Sequence, residues 1–585
     1  MKAAAMNKDK SSKLVTLVAL LGALAIASAA LLQAERHDPR MSYIIQGSSL
    51  DGVKALVAAE GGTITHELGV IRAVAAELTP AQVAGLREQA GVRRIYANGS
   101  VETSGKPEGK GGGSGDSGDS GSSSDTYIET HYPTLVGANL LHQQGIDGWG
   151  IGIAVIDTGM FSHDGLTTSR YGNLRRKVEY DAITDTVTTY KNTNGAAVED
   201  PSGHSSHVSS VAVSSKDYNG SYNGIAPGAN LIPVTALNEF GQGTYADVIR
   251  GIDWLVANRN KHGIDILNMS LSAPVQSHYW DDPLNQAVMA AWEASIVVVA
   301  SAGNTGPGAQ TIGVPGNVPY VITVGAMTDG YTPADGSDDR LATFSATGPT
   351  YEGFVKPEIV APGGHMLGLM QRSSELAEVF PEYHDGIKYF EMSGTSQATA
   401  VVSGVVALAL QMEPGLTPDQ VKCKIMSAAR PAVNGDGTLA YSVFQQGAGV
   451  VNAYDAVYNW NYGCANNGLD LTADLNGTKH FGGRANQDAD GNYYLMGLDG
   501  YLWTDGGVDG NGYLWTDGYL WTDGYLWTDA YLWTDGTLGV NGYLWTDGYL
   551  WTDAYLWTDA FLWTDGFTGS TATETMSINT WVDPE

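Results

Sequence analysis

The chain has 585 residues, and Asp and Glu outnumber Lys and Arg by 63 to 31, a formal net charge of −32. That sign repels phosphate backbones and anionic membrane surfaces, so neither nucleic acid nor a charged bilayer is expected as a partner. A hydrophobic content of 43% excludes global disorder, and two cysteines exclude both a disulfide scaffold and a four-cysteine zinc site. The acidity is uneven. No Lys or Arg follows Arg484, whereas 16 Asp and Glu do, so the C-terminal region is compositionally separate.

Lys2, Lys8, Lys10 and Lys13 precede an apolar run from Leu14 to Ala27, which ends in Ala27-Ser28-Ala29-Ala30. Residues 1–29 therefore read as a secretory signal peptide, with an apolar run short of the ~20 residues a spanning helix needs. No later segment reads as a membrane span, and the mature protein is expected to be secreted and extracellular. Periplasmic or cell-surface retention through the C-terminal tail is the alternative. Outside the cytosol Cys423 and Cys464 are free to pair, and two buried thiols are the other reading.

Residues 42–98 follow the order βαββαβ of a ferredoxin-like split motif. Ser42–Gln46 is a short apolar strand, Leu50–Glu60 has helical spacing, two strand-like stretches run to about Ala76, and Val92–Tyr96 closes the unit. Thr79-Pro80 is an N-cap followed by an N1 proline, which starts a second helix running to Ala90. Residues 102–126 are rich in Gly, Ser and Asp and form a linker too polar to offset its own ordering entropy.

From 127 to 465 apolar strands alternate with amphipathic helices. Gly152–Ile156, Asn230–Ala236, Ile264–Ser270, Ser295–Ser301 and Val321–Gly325 are the strands, and Tyr245–Arg259 and Pro283–Ala294 are two of the helices. Strands this apolar predict a doubly wound, mainly parallel α/β sheet covered on both faces.

Four short motifs in this region carry chemistry. Asp157-Thr158-Gly159 ends the first strand, where open α/β sheets gather their functional groups. His204 and His207 lie three apart at a helix start, in GHSSH. Ser301-Ala302-Gly303-Asn304 follows the apolar run Ile296–Ala300, and Ser396 opens a long apolar helix after Gly394-Thr395. Singly, the Asp is a common turn residue and the His pair is either a metal site or a satisfied core histidine. Together they supply an acid, a base and a nucleophile, which a serine needs because its hydroxyl is inert at its own pKa.

The order Asp…His…Ser, with DTG, GHSSH, SAGN and SGTS, resembles the subtilisin-like serine peptidase family. GIAPGANL at 224–231, GQGTYADVIRGIDWL at 241–255, ILNMSLS at 266–272, KPEIVAPG at 356–363 and QGAGVVNAYDAV at 446–457 resemble family segments too. The resemblance implies Ser396 as nucleophile, His204 as its base and Asp157 as the group that orients the imidazole. The Asn304 amide and the Ser396 backbone N–H would form the oxyanion hole. An extended protein or peptide substrate would be held as an added strand between Ser270-Leu271-Ser272 and Gly241-Gln242-Gly243. Ser301, Ala302 and Gly303 would line the pocket for the side chain preceding the cut.

Several positions depart from the family pattern. Ser205-Ser206 replace Gly-Thr, Ser209-Ser210 replace Ala-Gly, Gln397 stands where Met is usual, and Ala400 stands where Pro is usual. Ser272 replaces a Gly on the pocket wall. None of these removes a catalytic atom. By the same resemblance residues 42–98 are an inhibitory propeptide, an intramolecular partner that plugs the cleft until cut away. No cofactor is required for the chemistry and no metal ligand is assigned. A structural calcium is left open at KDYNGSYNG (216–224) and at DADGN (488–492), both of which also read as plain turns.

After a connector at 466–500, YLWTD occurs eight times from Tyr501, with a ninth copy, FLWTD, at Phe561; all starts are multiples of six apart. An even period places Tyr, Trp and Asp on one face of an extended chain, so residues 501–566 predict a β-rich repeat, as hairpins or a solenoid. The aromatic face suits a polysaccharide or another polymer and the Asp ladder suits cations, while a self-contained spacer or surface anchor fits equally; residues 567–585 form a tail. The expected protein is a secreted serine endopeptidase made as a self-processing, inhibited precursor. The rival is a silent or self-processing carrier for the repeats.

Overall fold

The structure, a computed structural model, describes residues 40–103, 130–191, 199–218, 220–330, 332, 338–434, 438–487 and 491–495. The signal peptide, most of the linker, the end of the connector, the repeats and the C-terminal tail lie outside the described residues. The chain divides into two compact units, residues 1–98 and 99–585.

In the first unit the strands are β1 (Met41–Gly47), β2 (Thr63–Leu68), β3 (Ala73–Leu78) and β4 (Val92–Ala97), and the helices are α1 (Leu50–Ala59) and α2 (Pro80–Arg87). The sheet order is β2-β3-β1-β4, antiparallel throughout. Both helices begin at capped turns. Ser49 accepts from the Gly52 N–H, and Thr79 forms a reciprocal capping box with Gln82 ahead of Pro80. Val53, Val57, Val83 and Leu86 from the two helices share one core with Ile45, Val74 and Leu78 of the sheet. A single cluster fed by both helices means that both cover the same face.

The second unit is built on a sheet of nine strands. In chain order these are β6 (Gly152–Asp157), β7 (Val178–Asp181), β8 (Thr186–Thr189), β9 (Asn230–Thr235), β11 (Ile266–Met269), β13 (Val297–Ser301), β14 (Ile322–Thr328), β15 (Arg340–Leu341) and β16 (Ile359–Pro362). They lie in the order β15-β14-β13-β11-β6-β9-β7-β8, with β16 also on β14. All pairs are parallel except β14 with β15 and β7 with β8. Every residue of β6, β11 and β13 is buried, which is why these strands read as continuous apolar runs rather than alternating ones. Because β6, β11 and β13 are parallel neighbours, the turns after Asp157, Met269 and Ser301 open on the same edge.

Four helices matter for the site: α3 (His204–Val213), α4 (Tyr245–His262), α5 (Pro283–Glu293) and α6 (Thr395–Met412). Thr244 caps α4 through the Asp247 N–H, and Gly263, at φ +62°, ends it. Helix α6 is, contrary to the sequence expectation, long and apolar enough to cross a membrane, but 89% of its apolar stretch is buried inside the unit. It is the core helix of the unit, and a continuous apolar stretch is what burial on all sides demands. A further helix, α7 (Pro418–Ser427), carries Cys423, which is bonded to Cys464 with Cα atoms 5.1 Å apart.

A small three-stranded sheet lies outside the main one: β10 (Gln242–Thr244), β5 (Ser100–Thr103) and β12 (Leu271–Ser272), with β5 in the middle. This corrects the linker boundary, because Glu102 and Thr103 are strand residues. Their backbone groups are taken up by partners more than a hundred residues away, a pairing that local composition cannot signal.

Candidate active site

Asp157 is the last residue of β6 and is wholly buried. The His204 Nδ1 lies 2.8 Å from each of its carboxylate oxygens. The Thr158 N–H donates to Oδ1 at 2.8 Å, and the Asp157 carbonyl accepts from the N–H groups of Ala236 and Leu237. Burial pushes this carboxyl up from its ordinary range, and the adjacent imidazole pulls it part of the way back. His204 opens α3, and its Nε2 is buried without a hydrogen-bond partner among the described residues. The residue before it must be glycine. Gly203 sits at φ +92°, and a Cβ there would lie 2.6 Å from Ser374 Oγ and 2.8 Å from Met370 Cγ.

Ser396 lies in the first turn of α6, where Gly394 and Thr395 lead the chain into the helix. Its hydroxyl donates to the Ser270 carbonyl at 3.2 Å, while the Ser270 hydroxyl donates to the Ser396 carbonyl at 3.0 Å. This double link ties the start of α6 to the turn after β11. Asn304 follows β13, and its Oδ1 accepts from the N–H of Thr395 at 3.1 Å and from the Thr395 hydroxyl at 2.8 Å. With its oxygen committed to Thr395, the Asn304 side chain has its amide N–H groups left to donate elsewhere.

The other predicted residues form two walls. Gly241, Gln242 and Gly243 lie on or beside β10, and Leu271 and Ser272 make up β12. Between them β5 runs antiparallel to both: Glu102 is opposite Gln242 and Ser272, Val101 opposite Gly243, and Thr103 opposite Leu271. The Thr103 N–H donates to the Gly241 carbonyl at 2.9 Å. Gly241 sits at φ +71°, and a Cβ there would meet Thr103 Oγ1 at 2.6 Å, so only glycine lets the strand approach. Val101 is buried to 2% exposure, whereas Glu102 is exposed. Ser301 is held by its hydroxyl, which donates to the Leu271 carbonyl at 2.9 Å.

Ser272 lies between two glycines. Its Oγ lies 2.0 Å from where a Cβ on Gly313 would stand and 3.3 Å from one on Gly303, so the hydroxyl fills the gap between two glycines. Ala302, Ile312 and Ala346 form a small apolar cluster beside it. Gly313 escaped the sequence reading because it carries no chemistry of its own.

His207 is a satisfied core histidine. Its Nε2 lies 3.0 Å from both the Met366 and Phe390 carbonyls, on the hairpin of β17 (Met366–Leu369) and β18 (Tyr389–Met392). Burial lowers its pKa to about 4, so near neutral pH it carries no charge and donates from Nε2. Among the described residues no group of three or more His, Cys, Asp and Glu gathers as a metal site. Within 216–224 the described residues form a short hairpin, Asp217–Tyr218 against Ser221–Tyr222, and Asp488 and Asp490 of DADGN lie outside the described residues.

The comparisons with known proteins agree with this geometry. The Subtilase family model matches residues 148–449. The chain belongs to that family and is a serine endopeptidase. It is 36% identical over 394 residues to the serine protease AprX of Bacillus subtilis, covering 66% of this chain and 79% of that one. It is 33% identical over 298 residues to subtilisin DY of Bacillus licheniformis, covering 50% of this chain and 89% of the relative. In fold it is similar to the crystal structure of fervidolysin from Fervidobacterium pennivorans, a keratinolytic enzyme related to subtilisin. The TM-score there is 0.55 at 23% identity, over 72% of this chain and 61% of that one.

Proposed function

We propose that this endopeptidase is exported as a self-inhibited precursor and that it cuts itself, and then other proteins, with Asp157, His204, Ser396 and Asn304. The observation that carries the reading is β5, which occupies the cleft between β10 and β12 as an extended substrate would. Thr103 lies opposite Leu271, and the neighbouring Ser270 carbonyl accepts from the Ser396 hydroxyl, so β5 leads toward Ser396. We place the processing site in the linker sequence that follows Thr103.

In the reaction the Ser396 hydroxyl attacks the carbonyl carbon and His204 takes its proton at Nε2. Asp157 holds Nδ1–H and offsets the imidazolium charge. The carbonyl oxygen, now negative, is held by the Asn304 Nδ2 and the Ser396 N–H. Collapse breaks the C–N bond, and His204 returns the proton to the departing amine, leaving an ester on Ser396 that water hydrolyses by the same relay. No cofactor enters. Backbone pairing to β10 and β12 holds extended polypeptides of many sequences, and the buried place of Val101 favours an apolar side chain there.

The test is expression of wild type and Ser396→Ala, followed by intact mass, N-terminal sequencing and casein hydrolysis. Wild type should begin within the linker that follows Thr103 and cleave casein, while the variant stays uncut and inert. An uncut, inactive wild type would instead favour the silent carrier of the repeats.

A further inference from the structure

Asp200 is a second buried carboxylate next to the Asp157–His204 pair, at 2% exposure, and the chemistry above does not use it. Its Oδ1 accepts from the Thr158 hydroxyl at 2.7 Å and from the Gly203 N–H at 2.9 Å. Its Oδ2 accepts from the N–H and the hydroxyl of Ser206, both at 2.7 Å. Four donors thus converge on the two carboxylate oxygens. Two of them are backbone N–H groups at the start of α3, which lack partners within the helix and carry the positive end of its dipole.

Thr158 joins this carboxylate to the other one. Its N–H goes to Asp157 Oδ1 at 2.8 Å and its hydroxyl proton goes to Asp200. Having given that proton away, the hydroxyl can only accept, and it takes the Ser205 N–H at 3.1 Å. A closed circuit results: His204 to Asp157, Asp157 to Thr158, Thr158 to Ser205, and Ser205 back to His204 through the chain. Asp200 orients the one rotatable proton in it.

We propose that Asp200 is a positioning residue for catalysis, fixing the end of β6 to the first turn of α3 so that the His204 imidazole is held on Asp157 and aimed at Ser396. The inference rests on the roles given to Asp157, His204 and Ser396 above. A buried anion at this place also favours the imidazolium formed in the transition state, and burial keeps its field from being screened. The charged groups around it are Asp157 on β6, Glu179 on β7 with Arg176 beside it, and His204 itself. The segment after β17 reaches this loop through backbone only, with the Glu375 N–H on the Pro201 carbonyl.

The test uses Asp200→Asn, Thr158→Val and Thr158→Ser in the full-length protein, reading both precursor processing and peptide hydrolysis by the matured enzyme. Asn has one acceptor oxygen for four donors and sets an N–H₂ against N–H or O–H groups. Its kcat should fall about 10- to 100-fold with KM within about twofold. The acid limb of its kcat/KM profile should move to lower pH, because a negative charge near His204 is gone. Thr158→Val cuts the circuit at constant charge, so kcat should fall with the acid limb in place, and Thr158→Ser should recover most of the rate.

If Asp200→Asn keeps both its kcat and its acid limb while its melting temperature drops, Asp200 is only a helix cap and the proposal fails. If Asp200→Asn does not fold, the Thr158 pair decides: equal rates for Val and Ser overturn the proposal. A Ser396→Ala protein that still processes itself would refute the peptidase roles rather than this one.

Discussion

Asn304 is anchored by Thr395, the residue immediately before Ser396, through both the backbone N–H and the hydroxyl. The group that steadies Asn304 is thus part of the turn that delivers Ser396. Asn304 and Ser396 cannot shift independently, so under the proposed mechanism the donor needs no reorganisation when charge develops. Asn304→Ala should lower kcat by about 10²–10³-fold with KM little changed. Thr395→Val, which removes only the hydroxyl anchor, should cost less. Steady-state kinetics on a peptide anilide measures both, and a loss confined to KM would place Asn304 in ground-state binding instead.

Ser272 stands between Gly303 and Gly313, in the proposed pocket for the side chain preceding the cut. Its hydroxyl stands where the space between Gly303 and Gly313 would otherwise open. The wild type should prefer small residues before the cut. Ser272→Gly should raise kcat/KM for Phe or Leu relative to Ala by at least about tenfold, in line with about 1–3 kcal/mol per pocket-filling group. Unchanged ratios across a peptide series would show that another side chain limits the pocket.

His207 makes folding stability depend on pH. Its pKa falls from 6.5 to about 4 on folding, chiefly by burial. Between those values the unfolded chain binds a proton that the folded chain refuses. The contribution is therefore complete above about pH 6.5, shrinks as the pH falls, and is gone below about pH 4. Glu179, raised to about 7 by burial, works in the opposite sense but is shared by wild type and a His207 variant, so it drops out of their difference. The stability gap between wild type and His207→Gln in urea should narrow steadily from pH 7 to pH 4. A gap that is constant over that range would mean that His207 does not titrate differently on folding.

Gln397, next to the nucleophile, is fully buried, with its Nε2 3.2 Å from the Met392 Sδ and 3.4 Å from the His207 Nδ1. An amide cannot form a sulfoxide, so activity should survive hydrogen peroxide. Gln397→Met should lose activity with time in peroxide, because an added sulfoxide oxygen would sit beside Ser396. Equal decay of the two proteins would trace the sensitivity to another methionine.

The sequence by itself determined which residues are candidates for the chemistry and which elements present them. Asp157 was legible because an unbroken apolar run has to be a covered strand and the polar residue that ends it has to sit at an edge. Ser396 was legible because Gly394-Thr395 breaks the chain just before a long apolar helix. Thr79-Pro80, in the same way, announced the start of α2 through a local cap. Each of these signals spans only a few residues.

Only the tertiary structure decided what those elements meet. Ser100–Thr103 has the composition of linker on one side and becomes a strand because Gly241 and Leu271, far along the chain, offer it hydrogen bonds. Asp200 looks like any loop carboxylate until β6 and α3 converge on it, and Ser272 is one small polar residue until Gly313 is placed against it. The reason is physical: periodicity and capping are set by neighbours in sequence, whereas a buried carboxylate's donors, a pocket's depth and a cleft's occupant are set by neighbours in space.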